Sequence, residues 1–353
     1  MKMRIGAGLI LAATVVTAQT AQNATDTPEA HVAIAQTAAG EEYQNLFTFL
    51  CAAPAQRGGG GAGARGQGGR GAGAGAAAPR GQDGAPAGAG AAAAAPRGGG
   101  GQRGTPDRST WYAEPVKAFD NMYFFGQTEY SVWAITTSEG IIVIDTIFDY
   151  SVEEEVDGGM KKLGLDPSKI KYAVLTHPHP DHHGGARFLQ EKYGTKVLMS
   201  AADWDALDRT NGTKPTRDMV ATDGQKLTLG DTTITLYVTP GHTPGTLSVL
   251  IPLKDNGRPH LAALWGGTGL NADRESLTNY VASAKRFSEI VKQSGADIIL
   301  SNHTDWDRGK INLPILAKRA PGSPNPYVTS NQNALRYLKV AEECATARLM
   351  RVN

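Results

Sequence analysis

Residues 175–185 read LTHPHPDHHGG, and half of the chain's eight histidines fall within them, together with Asp181. A solvated turn needs no such set. Pro178 and Pro180 stiffen the backbone and discourage a helix there. Alternation along an extended turn directs His177 and His179 to one side, and Asp181 and His182 follow at the entry of the next helix. Gly184 and Gly185 then allow a close turn. Imidazole and carboxylate suit zinc in a hydrolytic site. A lone histidine in such a place is usually a hydrogen-bonded turn residue. Three with an aspartate at this spacing read as metal ligands, and the stretch alone leaves open whether they serve one ion or two.

Neighbouring residues in one run cannot satisfy two ions, so a second ion would need ligands from elsewhere. His242 in VTPGHTPGT and His303 in ILSNHTDWD each follow a β-rich run and sit among turn residues. The remaining histidines differ. His31 and His260 read as surface residues, and His183 as an outer-shell or rim neighbour of the cluster.

The rest of the chain divides by composition. Residues 1–18 have the form of a signal peptide: Lys2 and Arg4, an apolar run from Ile5 to Val16, and small residues through Ala18. The run is short for a membrane span, so export without a stable membrane anchor is expected, to the periplasm or beyond. Residues 19–56 form an N-terminal extension, in which EEYQNLFTFLCAA reads as a short helix docking on the domain. Residues 57–106 form a Gly/Ala/Arg-rich linker without the branched and aromatic side chains that offset chain entropy, so disorder is expected. Its six arginines lack interleaved aromatics for base stacking, and the net charge is only +1, so no nucleic-acid partner is expected. Residues 107–353 suffice for one sizeable domain. The two cysteines, Cys51 and Cys344, could pair in an oxidising compartment. Oligomeric state is not legible.

Within the domain, NMYFFG, YSVWAITT and GIIVIDT read as a meander of strands, and KYAVLT as the strand that delivers the histidine cluster. SVEEEVDGGMKKLGL, GARFLQEKYG and AADWDALDRT read as helices, and KLTLGDTTITLYVT as a hairpin turning at Gly230-Asp231. SLTNYVASAKRFSEIVKQSG reads as an amphipathic helix from Ser276 to Gly295, and NQNALRYLKVAEECATARLMR as the last helix. Two halves, each strands then helix, suggest a two-sheet sandwich with helices outside. Trp306 could line a cleft; Tyr130 and Trp133 read as core.

HPHPDHHGG resembles the His-x-His-x-Asp-His pattern of the metallo-β-lactamase superfamily, and PGHTPGT and the strand-terminal His303 resemble its later ligand positions. The resemblance covers roughly residues 115–350. It implies an α/β fold, a four-layer αββα sandwich, with two zinc ions at the edges of the sheets. His177, His179 and His242 would hold one ion; Asp181, His182 and His303 the other. The set is most similar to the third, histidine-rich subclass of class B β-lactamases. The glyoxalase II and lactonase branches add a bridging aspartate between the last two histidines, where this chain has LAALWGGTGLN with Thr268 near that position. Thr268 resembles a serine of the third subclass. Gly269 and Leu270 replace further hydroxyls, leaving Asn271 as the nearby polar substitute, so Thr268 and Asn271 are candidate substrate-binding residues.

The resemblance implies a zinc-dependent hydrolase of a small-molecule substrate, a β-lactamase foremost, opening the amide by attack of zinc-activated hydroxide. Asp181 would be the catalytic group that orients the water and handles its proton. Hydrolysis of another ester, lactone or thioester is the alternative. A related iron redox branch uses more carboxylate ligands and a flavin domain, features this sequence does not display.

Overall fold

Alternate residues of the same strands face two different cores. On β4 (Gly140–Ile144), Ile142 and Ile144 join one apolar cluster while Ile141 and Val143 join another. On β10 (Leu247–Asp255), Val249 and Ile251 face the first cluster and Leu250 a third. Strands buried on both faces belong to sheets covered on both sides. Three clusters separate four layers, helix on sheet on sheet on helix. This is the αββα architecture.

A computed structural model describes residues 26–51 and 105–352, which from 26 to 51 and from 106 onward form one compact unit. The expected signal peptide lies outside the described residues, as does the expected linker but for residues 105 and 106.

The first sheet has seven strands in sequence order: β1 (Val116–Phe119), β2 (Met122–Phe124), β3 (Trp133–Thr137), β4, β5 (Ile170–Val174), β6 (Lys196–Ser200) and β7 (Met219–Ala221). β1 to β4 pair antiparallel, and β4 to β7 parallel. The second sheet runs β12 (Ile298–Ser301), β11 (Arg258–Trp265), β10, β9 (Thr232–Val238), β8 (Gln225–Leu229). β8 and β9 form the hairpin expected at Gly230-Asp231, pairing Leu229 with Thr232.

Helices close both outer faces. Val156, Met160, Leu189, Trp204 and Leu207 cover the first sheet. They come from a π-helical turn (Glu153–Gly158) that continues as α3 (Gly159–Lys162), from α5 (Ala186–Tyr193) and from α6 (Ala201–Asp208). The second sheet is covered by α7 (Arg274–Ser294), α9 (Asn331–Met350) and an N-terminal pair, α1 (Pro28–Ala39) and α2 (Gln44–Cys51). α7 begins two residues before the expected Ser276, because the Asp273 side chain caps it by accepting from the Ser276 N–H. A helix that the sequence reading did not include, α8 (Gly309–Ala317), follows His303 and carries Pro314 inside it.

The N-terminal pair is bound to α9 at several points. Cys51 and Cys344 form a disulfide. Arg336 donates to the carbonyls of Ala38 and Ala39. His31, expected at the surface, bridges Asp26 and the buried Glu343. Burial opposes charge on His31, but Glu343 and Asp26 outweigh it and raise its pKa above 6.5. Burial likewise pushes Glu343 up, and Lys339 and His31 outweigh it and hold it low. A raised folded-state pKa gives stability that is full below the unfolded value and is lost as pH rises through the folded one. We therefore expect α1 to loosen as pH climbs through and above the folded pKa of His31. Hydrogen exchange over residues 28–39, corrected for intrinsic rates, should show falling protection across that window; constant protection would contradict the role of His31.

Candidate metal centre

Two clusters of ligand-type atoms sit side by side at the ends of strands from both sheets. His177, His179 and His242 form one; Asp181, His182 and His303 form the other. Within each, the ligand atoms all lie within 4.8 Å of one another. β5 delivers the first run and β9 leads into the His242 loop. β12 delivers His303. His179 caps a one-turn helix, α4 (Pro180–His183), in which Pro180 takes the first position. That turn is why adjacent residues separate: His177 and His179 precede the helix, while Asp181 and His182 are inside it. Gly184 and Gly185 keep ordinary negative φ, so close approach rather than turn freedom demands glycine. A Cβ at Gly185 would meet the Thr146 carbonyl oxygen at 2.4 Å.

The donor set fits a pair of metal ions. His242 Nε2 lies 3.2 Å from both His177 Nε2 and His179 Nδ1. Ligands at about 2.0–2.1 Å around a tetrahedral zinc stand about 3.3 Å apart. His177 Nδ1 lies 2.9 Å from the Gly266 carbonyl, and His242 Nδ1 2.8 Å from the Gly269 carbonyl. A carbonyl can only accept, so each Nδ1 carries the hydrogen and each Nε2 keeps its lone pair for a cation. In the second cluster, His182 Nδ1 lies 2.9 Å from Asp145 Oδ2. Its buried Nε2 has no hydrogen-bond partner, although Asp181 Oδ2 lies 3.1 Å away. A buried polar atom left in this state is a position waiting for a ligand. His303 Nε2 is 3.8 Å from the same oxygen.

Electrostatics agree. Burial and neighbouring imidazoles push His177 well below its usual value. The same causes bring His242 to about 3, and burial with His182 beside it brings His303 to about 3. Neutral imidazole is the form that binds metal. Burial pushes Asp181 up, but His182, His303 and His179 outweigh it and hold the carboxylate ionised. Burial opposes charge on His182, but Asp181 and Asp145 raise it to about 10, so a cation on Nε2 would displace a proton.

The structure adds a supporting network. Asp145, just past β4, is fully buried with φ of 60°. It accepts from the Thr176 N–H at 2.7 Å, the Thr176 hydroxyl at 2.8 Å and His182 Nδ1. Asn302 donates to the Thr176 hydroxyl at 3.1 Å and to the Gly266 carbonyl at 2.6 Å, the same carbonyl that orients His177. One network thus aims one ligand of each cluster. Residue 266 must be glycine, since a Cβ there would meet the Leu247 carbonyl oxygen at 1.7 Å. Asp203 of α6 holds the His242 loop by accepting from the Thr243 hydroxyl and the Gly245 N–H.

Other sequence candidates are placed differently. Thr268 is 2 % exposed and its hydroxyl faces Ser301 at 3.3 Å, so it presents nothing to a substrate. Asn271 Nδ2 donates to the Gly241 and His242 carbonyls, both at 2.9 Å, and so serves the His242 loop. Both were expected to hold substrate; in the structure their side chains serve Ser301 and the His242 loop. His183 is buried rather than at the rim and lies outside both ligand groups. His260, expected at the surface, is paired with Asp297 at 2.6 Å. Trp133 is core, as expected, but Tyr130 forms a β-bridge with His303, its ring 5.1 Å from the imidazole.

Residues 126–256 match the metallo-beta-lactamase superfamily model, which takes in every candidate ligand but His303. The chain is 36 % identical over 141 residues to hydroxyacylglutathione hydrolase of Neisseria meningitidis. That alignment covers 40 % of this chain and 46 % of the relative, so the chain spans less than half the length of this curated relative. Among solved structures, the FEZ-1 metallo-beta-lactamase of Legionella gormanii aligns with TM-score 0.57 and 25 % identity, over 66 % of this chain and 94 % of that one. The subclass B3 metallo-beta-lactamase BJP-1 of Bradyrhizobium japonicum aligns with TM-score 0.56 and 24 % identity, over 66 % and 92 % of the two chains, a likeness of fold.

Proposed function

We propose that this metallo-beta-lactamase superfamily domain, a metal-binding hydrolase, uses two zinc ions to open the amide of a β-lactam outside the cytoplasm. The observation that carries the reading is the pair of three-ligand clusters, one all histidine and one with a single aspartate. Three protein ligands per ion leave positions open for water and substrate, as catalytic zinc requires, whereas structural zinc takes four. When bound, the two ions would acidify water toward neutrality and polarise a carbonyl oxygen.

The chain's own residues supply position and charge. His177, His179 and His242 would hold one ion, and Asp181, His182 and His303 the other. The Gly266, Gly269 and Asp145 acceptors fix the ring orientations of His177, His242 and His182. Asp181, ionised and partly open to solvent, would orient the attacking water. The lack of a carboxylate in LAALWGGTGLN, the segment where the glyoxalase II and lactonase branches carry a bridging aspartate, supports the β-lactam reading. The fold likeness to FEZ-1 supports it as well. Export to the periplasm or beyond is supported by the form of residues 1–18 and by the Cys51–Cys344 disulfide, a bond that persists in oxidising compartments.

The match to a hydroxyacylglutathione hydrolase favours a second reading, hydrolysis of a thioester or a related ester or lactone. A panel of nitrocefin, an acyl-homoserine lactone and a hydroxyacylglutathione, each with and without chelator, separates the two. We expect chelator-sensitive turnover with kcat/KM for nitrocefin at least about tenfold above the others, a gap of about 1.4 kcal/mol. Preference for the thioester or lactone would overturn the β-lactam assignment and keep the hydrolase.

A further inference from the structure

An apolar cleft of about 480 Å³ opens between α8 and the segment that leads into β1. Its lining holds none of the six candidate metal ligands. Val116, Phe124 and Leu313 reach it from the core between the two sheets. Ala113, Pro314 and Ala317 complete its apolar wall. Protein interiors pack closely, and concave apolar sites of about 300–1,000 Å³ commonly hold a ligand. Outside the cleft, Ile311 and Ile315 are 53 % and 49 % exposed. Ile311 stands three residues before Pro314 and Ile315 three before Lys318, so apolar surface continues along α8 toward that lysine.

Two polar groups of the lining narrow the choice of occupant. Glu114 is paired with Lys162, and Lys310 lies 2.7 Å from Asp305. Lys318, exposed at the C-terminal end of α8, has no ion-pair partner among the described residues. An ammonium left over at the rim of an apolar cleft suits an anionic head group. In the wall itself, Gln127 is 1 % exposed. The Tyr150 phenol is close enough to feel its side chain, yet neither amide atom completes a hydrogen bond. A buried amide in that state favours an occupant that brings oxygen over plain hydrocarbon.

We propose that this cleft is a second binding site and that its ligand is a long-chain anionic amphiphile. The alkyl chain lies between α8 and the lead-in to β1, and the Lys318 ammonium holds the head group. A free fatty-acid anion and an anionic phospholipid of a membrane both offer this chemistry. The inference stands apart from the reaction at the metal centre and holds whichever bond is cleaved there.

The test is calorimetric titration of the full chain with dodecanoate, kept below its micelle concentration, beside the neutral probe dodecanol. One saturable site per chain is expected, and it should persist in chelator, since a carboxylate bound on metal would be lost there. Lys318→Glu should weaken dodecanoate about fivefold and dodecanol less than about twofold, the scale of one exposed ion pair. Ala317→Trp, which fills the cleft from an exposed position, should weaken both probes at least about tenfold, the scale of one buried apolar side chain. Metal content equal to wild type in both variants shows that the fold is kept. Flotation with phosphatidylglycerol and phosphatidylcholine vesicles separates the sources. Binding to the anionic vesicles alone, competed by dodecanoate, assigns the membrane lipid, and dodecanoate binding without flotation assigns the free anion. No saturable dodecanoate binding, binding abolished by chelator, or binding that both variants leave unchanged would overturn the site.

Discussion

His177→Ala is expected to lower hydrolysis by more than about a hundredfold, beyond the loss that removing an outer partner of a metal ligand brings. It should also remove about one metal ion per chain. His177 is 1 % exposed, with Nδ1 on the Gly266 carbonyl and Nε2 3.2 Å from His242 Nε2. Alanine leaves two donors, His179 and His242, where three converged, and leaves the Gly266 carbonyl without its imidazole. The second cluster shares no ligand with the first, so its ion should stay. His183→Ala is the matched control, since it also deletes a buried imidazole of the same run but lies outside both clusters. Metal content by elemental analysis, read beside kcat/KM, separates them. Full metal content and activity in His177→Ala would remove it from the ligand set.

Asp145→Ala is the second large effect, and it touches no proposed ligand atom of the ions. The carboxylate accepts from the Thr176 N–H, the Thr176 hydroxyl and His182 Nδ1, all buried. Removing it takes the acceptor from all three donors and one of two carboxylates from the His182 ring, whose pKa those carboxylates raise to about 10. Breaking a buried charged pair by deleting one partner costs about 3–5 kcal/mol, so denaturant melts of the metal-free protein should show a loss on that scale. Affinity for the second ion should fall about tenfold to a hundredfold, as for other orienting partners of metal-bound histidines. Unchanged metal affinity with lowered stability would make Asp145 a core residue alone.

The ligand clusters were legible because their chemistry is local. Four of the six residues lie between His177 and His182, and prolines and glycines announce their geometry. The sheets were legible for a similar reason, since runs such as GIIVIDT alternate between two cores and read as strands whatever they pair with. What escaped the reading depends on contacts across the chain. Asp145 meets Thr176 and His182 from 31 and 37 residues away. The one hint was an acid placed directly after an apolar strand. Asn302 was hidden beside His303, though it too ends a strand. α8 was missed because Gly309 opens it and Pro314 interrupts it, both contrary to helix preference. α1 carried a readable start, Thr27 capping and Pro28 at the first turn, in a segment otherwise read as an extension. Thr268 and Asn271 were placed near the ligands correctly, but the sequence could not tell that Ser301 and the His242 loop occupy their side chains.

Phe49 follows the same rule. It lies 257 positions from Trp306, on which its ring stacks, and no local pattern marks it. Only the packing of α2 on the α9 side of the second sheet brings the extension to the metal centre.

The most direct test of the account is the metal content of the purified full-length protein, measured by elemental analysis after dialysis against metal-free buffer. Two zinc ions per chain are expected, matching the two three-ligand clusters. Iron in place of zinc, or a single retained ion, would contradict the di-zinc centre on which the proposed function rests.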